Sequence, residues 1–578
     1  MKRTISIGII GILLSAILLA SAPSAVGAQF FGDANEDGTI DIKDVTYIKL
    51  IIFGKKPTTE LADANQDGRI NVGDVIQIKL IILRKVPFGR AVIPMSRDFT
   101  GANIIAFGGW QGVIIAPIYE PLAVYNPRTE EFEPWLADSW EVSSDAKVYT
   151  FHLDEDAKWH DGVPVTSEDV KFTIDYLHEH RPTWWRVSMV DHVECPDEYT
   201  AVLHLTSRNP LLIHGMGDRP WWGNIYPKHI WENVNDPDTF EDTNFIGSGP
   251  FKFKKRISGE YFVLEANKDY HGKMPRVKEV VFKVMPSEDV QILAVQKGEI
   301  DVVYDISPAI ANMLKGREGM GSYSLPERSY KSVGFNCKLY PTNMTEFRRA
   351  MACAVNKEKV INHIFGGHAT LLYTPLIPSI AHDMVNYDIP KYEYDLSEAT
   401  RLLKSAGFED RDDDGILEGP DGEDLTIIMP RNDITQILKE NWEELGIIVE
   451  MRDVGHWETL NVCNLHISHH GPYTGFDPDA LAWLHTYGFF GKPNWYRWSN
   501  TDFDEWVEEL RDTVDRERRK EIGYRMQEIL ANEEPEVPVC AVDKFAAYRS
   551  DNFVGWDTTV HYSPYARKIL LDIQPAQW

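Results

Sequence analysis

Two short stretches near the start of the chain place oxygen-bearing side chains at alternating positions around a glycine. Residues 33–44 read DANEDGTIDIKD, and residues 63–74 repeat the pattern as DANQDGRINVGD. Calcium is a hard cation that takes about six to eight oxygen ligands, commonly from a tight loop with glycine at its sixth position. The repeat predicts two calcium loops, because a pair of unrelated surface turns would not share a register.

The predicted calcium ligands occupy equivalent positions in the two loops. They are Asp33, Asn35, Asp37, the Thr39 carbonyl, Asp41 and Asp44 in the first loop, and Asp63, Asn65, Asp67, the Arg69 carbonyl, Asn71 and Asp74 in the second. Four of the first set are aspartates, against three of the second. Because more negative charge favours the cation, we expect the first loop to bind calcium more tightly.

A third acidic stretch, residues 410–421 (DRDDDGILEGPD), offers similar oxygen ligands. The candidates are Asp410, Asp412, Asp414, the Ile416 carbonyl, Glu418 and Asp421, with Gly415 at the turn. This stretch has no twin in register, so a calcium loop and an Asp-rich surface turn explain it equally well.

Helices must position the first two loops. Apolar residues follow each loop at helical spacing, namely Val45, Ile48, Ile51 and Ile52, repeated as Val75, Ile78, Ile81 and Ile82. Two such helices can bury these faces against each other. Farther along, residues 166–177, 287–298 and 395–407 have the caps and apolar spacing of helices, with strand-like segments between them. This alternation, from residue 90 onward, indicates an α/β domain.

Composition limits the functional classes. A chain of 578 residues is long enough for several domains, and its formal net charge of −29 would repel nucleic-acid phosphates. The five cysteines form no CxxC pair, so a zinc or redox motif is not indicated. The cysteines are Cys195, Cys337, Cys353, Cys463 and Cys540.

The N-terminus indicates secretion. Lys2 and Arg3 precede a short apolar run, and residues 26–28 (VGA) provide small residues for cleavage, so residues 1–28 are predicted to be a signal peptide. The apolar run is short for a membrane-spanning helix, which is the alternative. We therefore expect a secreted protein that is extracellular or associated with the cell surface.

Residues 31–87 resemble a type I dockerin, a small all-α module with two F-hand calcium loops that docks onto a cohesin. A full EF-hand has a helix before each loop and Glu at the last loop position. Here the helix before the loop is missing, and Asp occupies the last loop position. The resemblance implies Ca²⁺ as cofactor and a cohesin-bearing partner. Its recognition positions correspond to Ile42-Lys43 and Val72-Gly73, which differ from the Ser-Thr pair of the best-known dockerins.

Residues 90–578 resemble the family 5 extracellular solute-binding proteins, the peptide- and nickel-type receptors of ABC importers. The resemblance rests on segments that follow one another in order, among them IYEPLAVYNP (118–127), GSGPFKF (247–253) and AVQKGEIDVV (294–303). It implies a two-lobed α/β receptor of the class II periplasmic-binding-protein type, with a second lobe at roughly 325–537. The lobes are expected to close over a ligand by a hinge.

The resemblance also gives candidate ligand contacts. In peptide receptors an Asp holds the ligand's ammonium group, and the matching stretch here (471–488) has Gly475 at that position, with Asp477 following. Asp477 is thus either a contact or a turn residue. Three histidines, His466, His469 and His470, lie just before this stretch. If they belong to a strand, His466 and His470 share one face. They would then either bind a metal chelate or be solvated side chains. The aromatic candidates, for which core packing is the alternative, are Trp110, Tyr119, Trp221, Trp222, Trp483, Tyr487 and Trp495.

The function predicted from the sequence is a receptor, not an enzyme. We expect it to capture oligopeptides for an importer's membrane subunits, with an oligosaccharide or nickel chelate as alternative ligands. A hydrolase carried by the dockerin is the competing class, although no GxSxG or HExxH motif occurs. No cysteine near residue 28 could carry a lipid, so the dockerin is expected to replace a lipid anchor.

Overall fold

The computed structural model describes residues 31–37, 40–83, 87–98, 103, 105, 116–126, 131–181, 189–213, 223–325, 329–470, 477–486, 494–556 and 567–576. The predicted signal peptide, residues 1–28, lies outside these ranges. Within them, no helix combines the length and the apolar character that crossing a bilayer requires.

The N-terminal domain is built on helices that begin directly after the repeated loops, α1 (Ile42–Ile52) and α2 (Val72–Ile82). They share an apolar cluster that contains Val45, Ile48, Ile51, Val75, Ile78 and Ile81. The last residue of each predicted face is an exception, because Ile52 and Ile82 are each 38% exposed. Each lies one residue, or about 100° of helix rotation, beyond the buried face.

The N-terminal domain packs against the remainder of the chain through its connecting segment. Phe88 is buried in the apolar cluster of the two helices, and its backbone N–H donates to the Arg276 carbonyl at 2.8 Å. Lys278 reaches back from the same edge and donates to the Gln66 side-chain oxygen at 2.9 Å. One residue of the second loop is therefore in contact with the large domain.

The first part of the large domain consists mainly of antiparallel sheets. Its strands are β1 (Arg90–Met95), β2 (Ala123–Asn126), β3 (Glu131–Pro134), β4 (Ala137–Val142), β5 (Val148–Leu153), β6 (Val190–Asp197), β7 (Thr200–Leu205), β8 (Phe251–Ile257), β9 (Tyr261–Ala266), β10 (Glu279–Val284), β11 (Val302–Ile306) and β12 (Met320–Leu325). Its helices are α3 (Ser167–His180), α4 (Lys228–Trp231), α5 (Glu288–Lys297) and α6 (Pro308–Lys315).

Eight of these strands form two four-stranded sheets with separate cores. The main sheet has the order β1–β10–β9–β8, and the second sheet has the order β4–β5–β7–β6 with α3 packed on it. Strands β2 and β3 form a separate antiparallel pair. Two apolar clusters, one for each sheet, hold these layers together.

The chain then enters the second lobe. Its strands are β13 (Tyr330–Phe335), β14 (Ala369–Leu371), β15 (Thr426–Pro430), β16 (Ile448–Arg452), β17 (Leu465–His470) and β18 (Glu536–Val542). Its helices are α7 (Thr345–Cys353), α8 (Lys357–Ile364), α9 (Pro378–Ala381), α10 (Leu396–Ser405), α11 (Asp433–Glu444), α12 (His456–Val462), α13 (Thr501–Asp512) and α14 (Arg516–Glu533). The four-stranded sheet of the second lobe has the order β14–β18–β13–β17, and β15 pairs with β16 in parallel.

The chain returns to the first lobe after β18. Strand β19 (Lys544–Arg549) inserts between β11 and β12, and β20 (Phe553–Val554), α15 (Arg567–Asp572) and β21 (Gln574–Pro575) follow. The two lobes are therefore connected between β12 and β13 and again between β18 and β19. The boundary expected near residue 537 falls inside β18, which continues to Val542.

The three helices predicted from capping patterns are confirmed as α3, α5 and α10. Thr166 and Asp169 form the predicted capping box, and Gly298 ends α5 in the left-handed conformation. Short 3-10 helices also occur at Glu60–Ala62, His382–Met384 and Pro478–Leu484. The last of these carries Trp483, one of the candidate ligand contacts.

Candidate functional site

The repeated loops and the third acidic loop share one hydrogen-bonding pattern. In each loop the backbone N–H of the fifth position donates to side-chain oxygens of the first and third positions at 2.9–3.2 Å. The donors are Asp37, Asp67 and Asp414, and the acceptors are Asp33, Asn35, Asp63, Asn65, Asp410 and Asp412. Each loop thus gathers its oxygen ligands on one side, as an oxygen-only cation site requires.

A residue with left-handed backbone closes each of these turns at the fourth position. The φ angles of Glu36, Gln66 and Asp413 are 57°, 59° and 63°. At the sixth position, Gly68 and Gly415 have φ angles of 81° and 88°, a region that glycine enters without steric cost. The predicted ligand Thr39 lies outside the described residues, as does Gly38.

The twelfth position of each repeated loop is a buried carboxylate. The Asp44 carboxylate accepts from the backbone N–H groups of Asn35 and Asp41 at 3.1 and 2.8 Å. Asp74 accepts from Asn65 and Asn71 in the same way, at 3.2 and 2.7 Å. These bonds tie the start of each helix to the loop before it.

Electrostatics in the first loop favour a bound cation. Burial raises the pKa of the Asp44 carboxyl, and the nearby charges of Asp33 and Asp37 act in the same direction. Carboxylates held close together destabilise one another, and a divalent cation removes that cost. The donor chemistry and the charge of the loop residues therefore fit Ca²⁺.

The third loop brings together three of the predicted carboxylates. Carboxylate oxygens of Asp410, Asp412 and Glu418 lie within 4.8 Å of one another. Glu418 is 8% exposed and accepts from the Arg411 backbone N–H at 2.8 Å. The Asp421 carboxylate instead accepts from the Glu423 backbone N–H at 3.3 Å, within its own turn. Of the two predicted ligands Glu418 and Asp421, the structure thus brings Glu418 to Asp410 and Asp412.

The histidine-containing segment forms β17, which pairs with β13. In this register His466, Ser468 and His470 lie opposite Gly334, Ser332 and Tyr330. Because side chains alternate along a strand, these residues belong to one face of the sheet. The His466 ring is 4% exposed, and its Nε2 lies 2.9 Å from the Ser468 hydroxyl.

A buried carboxylate and two phenols extend this face. Glu536 of β18 accepts from the hydroxyls of Tyr330 and Tyr496 at 2.9 and 2.8 Å. Burial raises the pKa of Glu536 to about 7, and the hydroxyl donors partly offset that shift. The Tyr496 ring lies directly over Gly334, where an added Cβ would meet the ring at 1.9 Å. A glycine at this point lets the aromatic ring lie against the strand.

Two tryptophans connect this buried face to the surface. The ring of Trp483 packs edge-on against Tyr496 at a centroid distance of 5.2 Å, and Trp495 contacts both Trp483 and His466. Trp495 is 37% exposed, so part of its ring is open to solvent. We call Trp483, Trp495, Tyr496 and His466 the aromatic surface of the second lobe. Such rings can pack on peptide side chains or sugar rings.

Asp477 is fully engaged within the protein. It caps the 3-10 helix at Pro478–Leu484, and its two carboxylate oxygens accept from Arg519 at 2.6 and 2.9 Å. Both residues are buried. Because Arg519 neutralises this carboxylate, we do not assign Asp477 to the ligand's ammonium group.

Tyr119 is a core residue of the first lobe. Its side chain is completely buried in the main-sheet cluster, and its hydroxyl donates to Asp242 at 2.9 Å. The expectation that Tyr119 lines the cleft fails because none of its ring is accessible. Trp110, Trp221, Trp222 and Tyr487 lie outside the described residues, and for His470 the structure describes the backbone alone.

Sequence reasoning missed Glu536, Tyr330 and Tyr496. Glu536 follows two other glutamates in EEPEVPVCAV, where it reads as a surface charge at the start of a strand. The available signal was its position at the start of the apolar strand segment EVPVCAV. A carboxylate buried there needs hydrogen-bond donors from other side chains. The two tyrosines come from segments distant in sequence, Tyr330 from β13 and Tyr496 from a segment outside the strands, and only the tertiary fold brings both to Glu536.

Comparisons with known proteins agree with this architecture. The profile for bacterial extracellular solute-binding proteins, family 5, matches residues 131–501, and the profile for the dockerin type I domain matches residues 31–83. A Brucella ovis protein named as a candidate ABC transporter peptide-binding protein is 30% identical over 324 residues, which cover 53% of this chain and 57% of the relative. The chain thus spans little more than half the length of these first curated relatives.

Two further proteins match over more of the chain. The oligopeptide-binding protein AppA of Bacillus subtilis is 26% identical over 431 residues, which cover 69% of this chain and 76% of AppA. The crystal structure of NikZ from Campylobacter jejuni, in complex with Ni(L-His), superposes with a TM-score of 0.71 at 22% identity and covers 84% of this chain and 99% of NikZ. This likeness in structure establishes the two-lobed fold. The chain belongs to the bacterial extracellular solute-binding proteins of family 5 and carries a dockerin type I domain at its N-terminal end.

Proposed function

We propose that this protein is the secreted receptor of an ABC importer, that it captures oligopeptides, and that calcium-loaded dockerin loops hold it to a cohesin-bearing protein. Membership of family 5 over residues 131–501 is the observation that carries the receptor function. The relatives are named as binding proteins, which favours capture over catalysis. The predicted signal peptide supports an extracellular location.

Oligopeptides are favoured over the other ligands by two observations. Both the Brucella relative and AppA carry names that refer to peptide binding. The partly exposed Trp495, backed by Trp483, offers an apolar surface on which peptide side chains can pack. Since Asp477 is paired with Arg519, recognition here would depend on side chains and backbone more than on a free N-terminus.

A thermal-shift screen of the full chain in saturating calcium tests this proposal. Peptides, oligosaccharides and nickel–histidine chelates are each added in large excess. A ligand at about 100 times its Kd stabilises the folded state by about 2.7 kcal/mol, which raises the melting temperature measurably. We expect peptides to give the largest shift. A shift with oligosaccharides alone would reject the peptide assignment while retaining the receptor, and a folded protein that responds to none of them would reject both.

A nickel chelate is the second candidate ligand, favoured by a specific observation. His466 is part of the aromatic surface, and the superposed NikZ structure contains Ni(L-His). In the same screen, His466→Gln would abolish a shift caused by the nickel chelate if this histidine contacts the metal. Exposed His363 on α8 provides the matched control, because His363→Gln leaves the aromatic surface unchanged.

The dockerin proposal rests on the profile match and on the exposed recognition positions. Ile42 and Val72 are 65% and 62% exposed, although both are apolar. A pull-down of the full chain with a panel of cohesins should depend on calcium and be lost in the double variant Ile42→Asp, Val72→Asp. Val514 is 49% exposed elsewhere, so Val514→Asp is the control. Equal recovery with calcium and with EGTA would contradict a calcium-dependent tether.

A further inference from the structure

Three side chains with metal-binding chemistry meet on the open face of the first-lobe sheet β4–β5–β7–β6. His192 of edge strand β6 lies directly opposite His204 of β7. Glu194, two residues after His192, lies on the same face because side chains alternate along a strand. The two imidazole rings are parallel within 4°, with centroids 4.4 Å apart. The buried face of this sheet, by contrast, carries Val193, Leu203 and other members of the apolar core.

The donor atoms of these residues converge. Glu194 Oε1 lies 3.6 Å from His192 Nε2, and Glu194 Oε2 lies 3.6 Å from His204 Nε2. One donor atom from each of the three lies within 4.8 Å of the other two. His204 Nε2 is buried and has no hydrogen-bond partner among the described residues. An acceptor nitrogen in that position is costly unless something binds it.

A fourth side chain orients one of the histidines. Asp191 Oδ2 lies 2.8 Å from His192 Nδ1, which places the proton of a neutral imidazole on Nδ1. His192 Nε2 then carries the lone pair and faces Glu194. A carboxylate behind the non-ligating nitrogen is the usual support of a metal-bound histidine, where it fixes the tautomer and the ring orientation.

We propose that His192, Glu194 and His204 form a binding site for a divalent transition-metal ion, best matched by Zn²⁺. Two imidazoles and a carboxylate suit zinc, whose bonds of about 2.0–2.2 Å the present side chains can reach by small rotations. A fourth position stays open for water or a donor from outside the chain. The mixed nitrogen and oxygen donors separate this site from the oxygen-only loops that suit calcium. A bound ion would also tie edge strand β6 to β7.

Isothermal titration of ZnCl₂ into the full chain, in saturating calcium, tests the site. We expect the wild-type protein to bind one more Zn²⁺ than His204→Gln, and Glu194→Gln to weaken that binding at least tenfold. His363→Gln, on exposed α8, should bind as the wild type does. Other zinc-binding groups, including the histidines of β17, are common to all variants and cancel in the comparison. Circular dichroism establishes that each variant is folded.

Two further measurements separate a metal site from a structural role of these histidines. Asp191→Asn should weaken zinc binding by about 10- to 100-fold while leaving the metal-free melting temperature unchanged, since Asp191 acts through His192. Zn²⁺ should raise the melting temperature of the wild type and not that of His204→Gln. Equal zinc stoichiometry and affinity in the wild type and in folded His204→Gln would overturn the proposal.

Discussion

The Asp477 carboxylate and the Arg519 guanidinium form an ion pair with two hydrogen bonds at the base of the 3-10 helix that carries Trp483 of the aromatic surface. Arg519 Nη2 lies 2.6 Å from Oδ1 and Nε lies 2.9 Å from Oδ2, with both side chains buried. Arg519 Nη1 also donates to the carbonyls of Leu510 and Thr513. The pair therefore holds the 3-10 helix that carries Trp483 against α13 and α14.

Breaking this pair should destabilise the second lobe. In Arg519→Ala the Asp477 charge remains buried without its partner, which typically costs about 3–5 kcal/mol. Urea unfolding followed by circular dichroism measures this loss. Arg431→Ala, which removes an exposed ion pair with Asp453, should cost less than about 1 kcal/mol. An equal effect of the two substitutions would contradict the assigned role of Asp477.

Replacing Gly334 should disturb the aromatic surface. An added Cβ would overlap the Tyr496 ring, which cannot move without releasing its hydrogen bond to buried Glu536. We expect Gly334→Ala to lose about 1–3 kcal/mol of stability, as overpacked cores do. Gly316→Ala is the matched control, because its Cβ would meet only atoms at ordinary contact distances. Thermal melts of both variants provide the comparison.

The stability of the first lobe should fall in mildly alkaline solution. Burial alone would lower the pKa of His271, but hydrogen bonds and charges from Glu120 and Asp154 outweigh it and raise the pKa to about 9. The Nδ1–Asp154 and Nε2–Glu120 distances are 2.8 and 3.2 Å. A raised pKa means that the stabilisation is complete below about pH 6.5 and is lost as the pH rises through about 9.

The size of that loss follows from the shift, which corresponds to about 3 kcal/mol at most. Unfolding free energies measured between pH 6 and 10 should therefore decline for the wild type. His271→Gln should lack this part of the decline, whereas exposed His363→Gln should retain it. A wild-type stability independent of pH across this interval would show that His271 is not protonated in the folded state.

Calcium titration should reveal two loops of unequal affinity in the dockerin. The first loop carries four aspartates among its ligands and should bind more tightly than the second, which carries three. In isothermal titration, Asp33→Asn should weaken the tighter phase and Asp63→Asn the weaker one. Removal of calcium with EGTA should lower the helical signal of residues 31–83, because binding and folding are coupled. The opposite assignment of the two phases would contradict the charge argument.

The third loop offers a comparison of two carboxylates. Glu418 faces Asp410 and Asp412, whereas Asp421 accepts from the Glu423 backbone N–H. If this loop binds calcium, Glu418→Gln should remove that binding and Asp421→Asn should leave most of it. The measurement requires a background in which Asp33→Asn and Asp63→Asn already weaken the dockerin loops. Greater loss in Asp421→Asn than in Glu418→Gln would contradict the placement of Glu418 as the main carboxylate of this loop.

The sequence could predict the features that depend on the spacing of nearby residues, such as loops, helices and helix caps. The repeat around Asp33 and Asp63 predicted both loops and the helices behind them, because ligand spacing and apolar spacing are encoded within a dozen residues. It could not predict that Ile52 is partly exposed, because that depends on how the helices cross. The capping pair Thr166 and Asp169 likewise sufficed for the start of α3.

The aromatic surface of the second lobe depends on contacts between distant segments. Tyr496, which lies outside the strands, reaches Glu536 because its ring packs over Gly334 of β13, and Gly334 lies opposite Glu536 of β18. No local signal in the sequence specifies this contact. Tyr119 was a candidate ligand contact with core packing as the alternative, and the sequence could not decide between them because its partner Asp242 is distant in the chain. Asp477 was left open between two roles, and its partner lies 42 residues away on α14.

Binding of peptides without cleavage is the most direct test of the receptor function. A defined peptide pool would be titrated into the full chain in saturating calcium by calorimetry, and the bound peptides recovered and identified by mass spectrometry. We expect saturable binding of one peptide per chain, recovery of intact peptides, and at least tenfold weaker binding by folded Trp495→Ala. Recovery of shortened peptides, or absence of any peptide binding by a folded protein, would contradict an oligopeptide receptor.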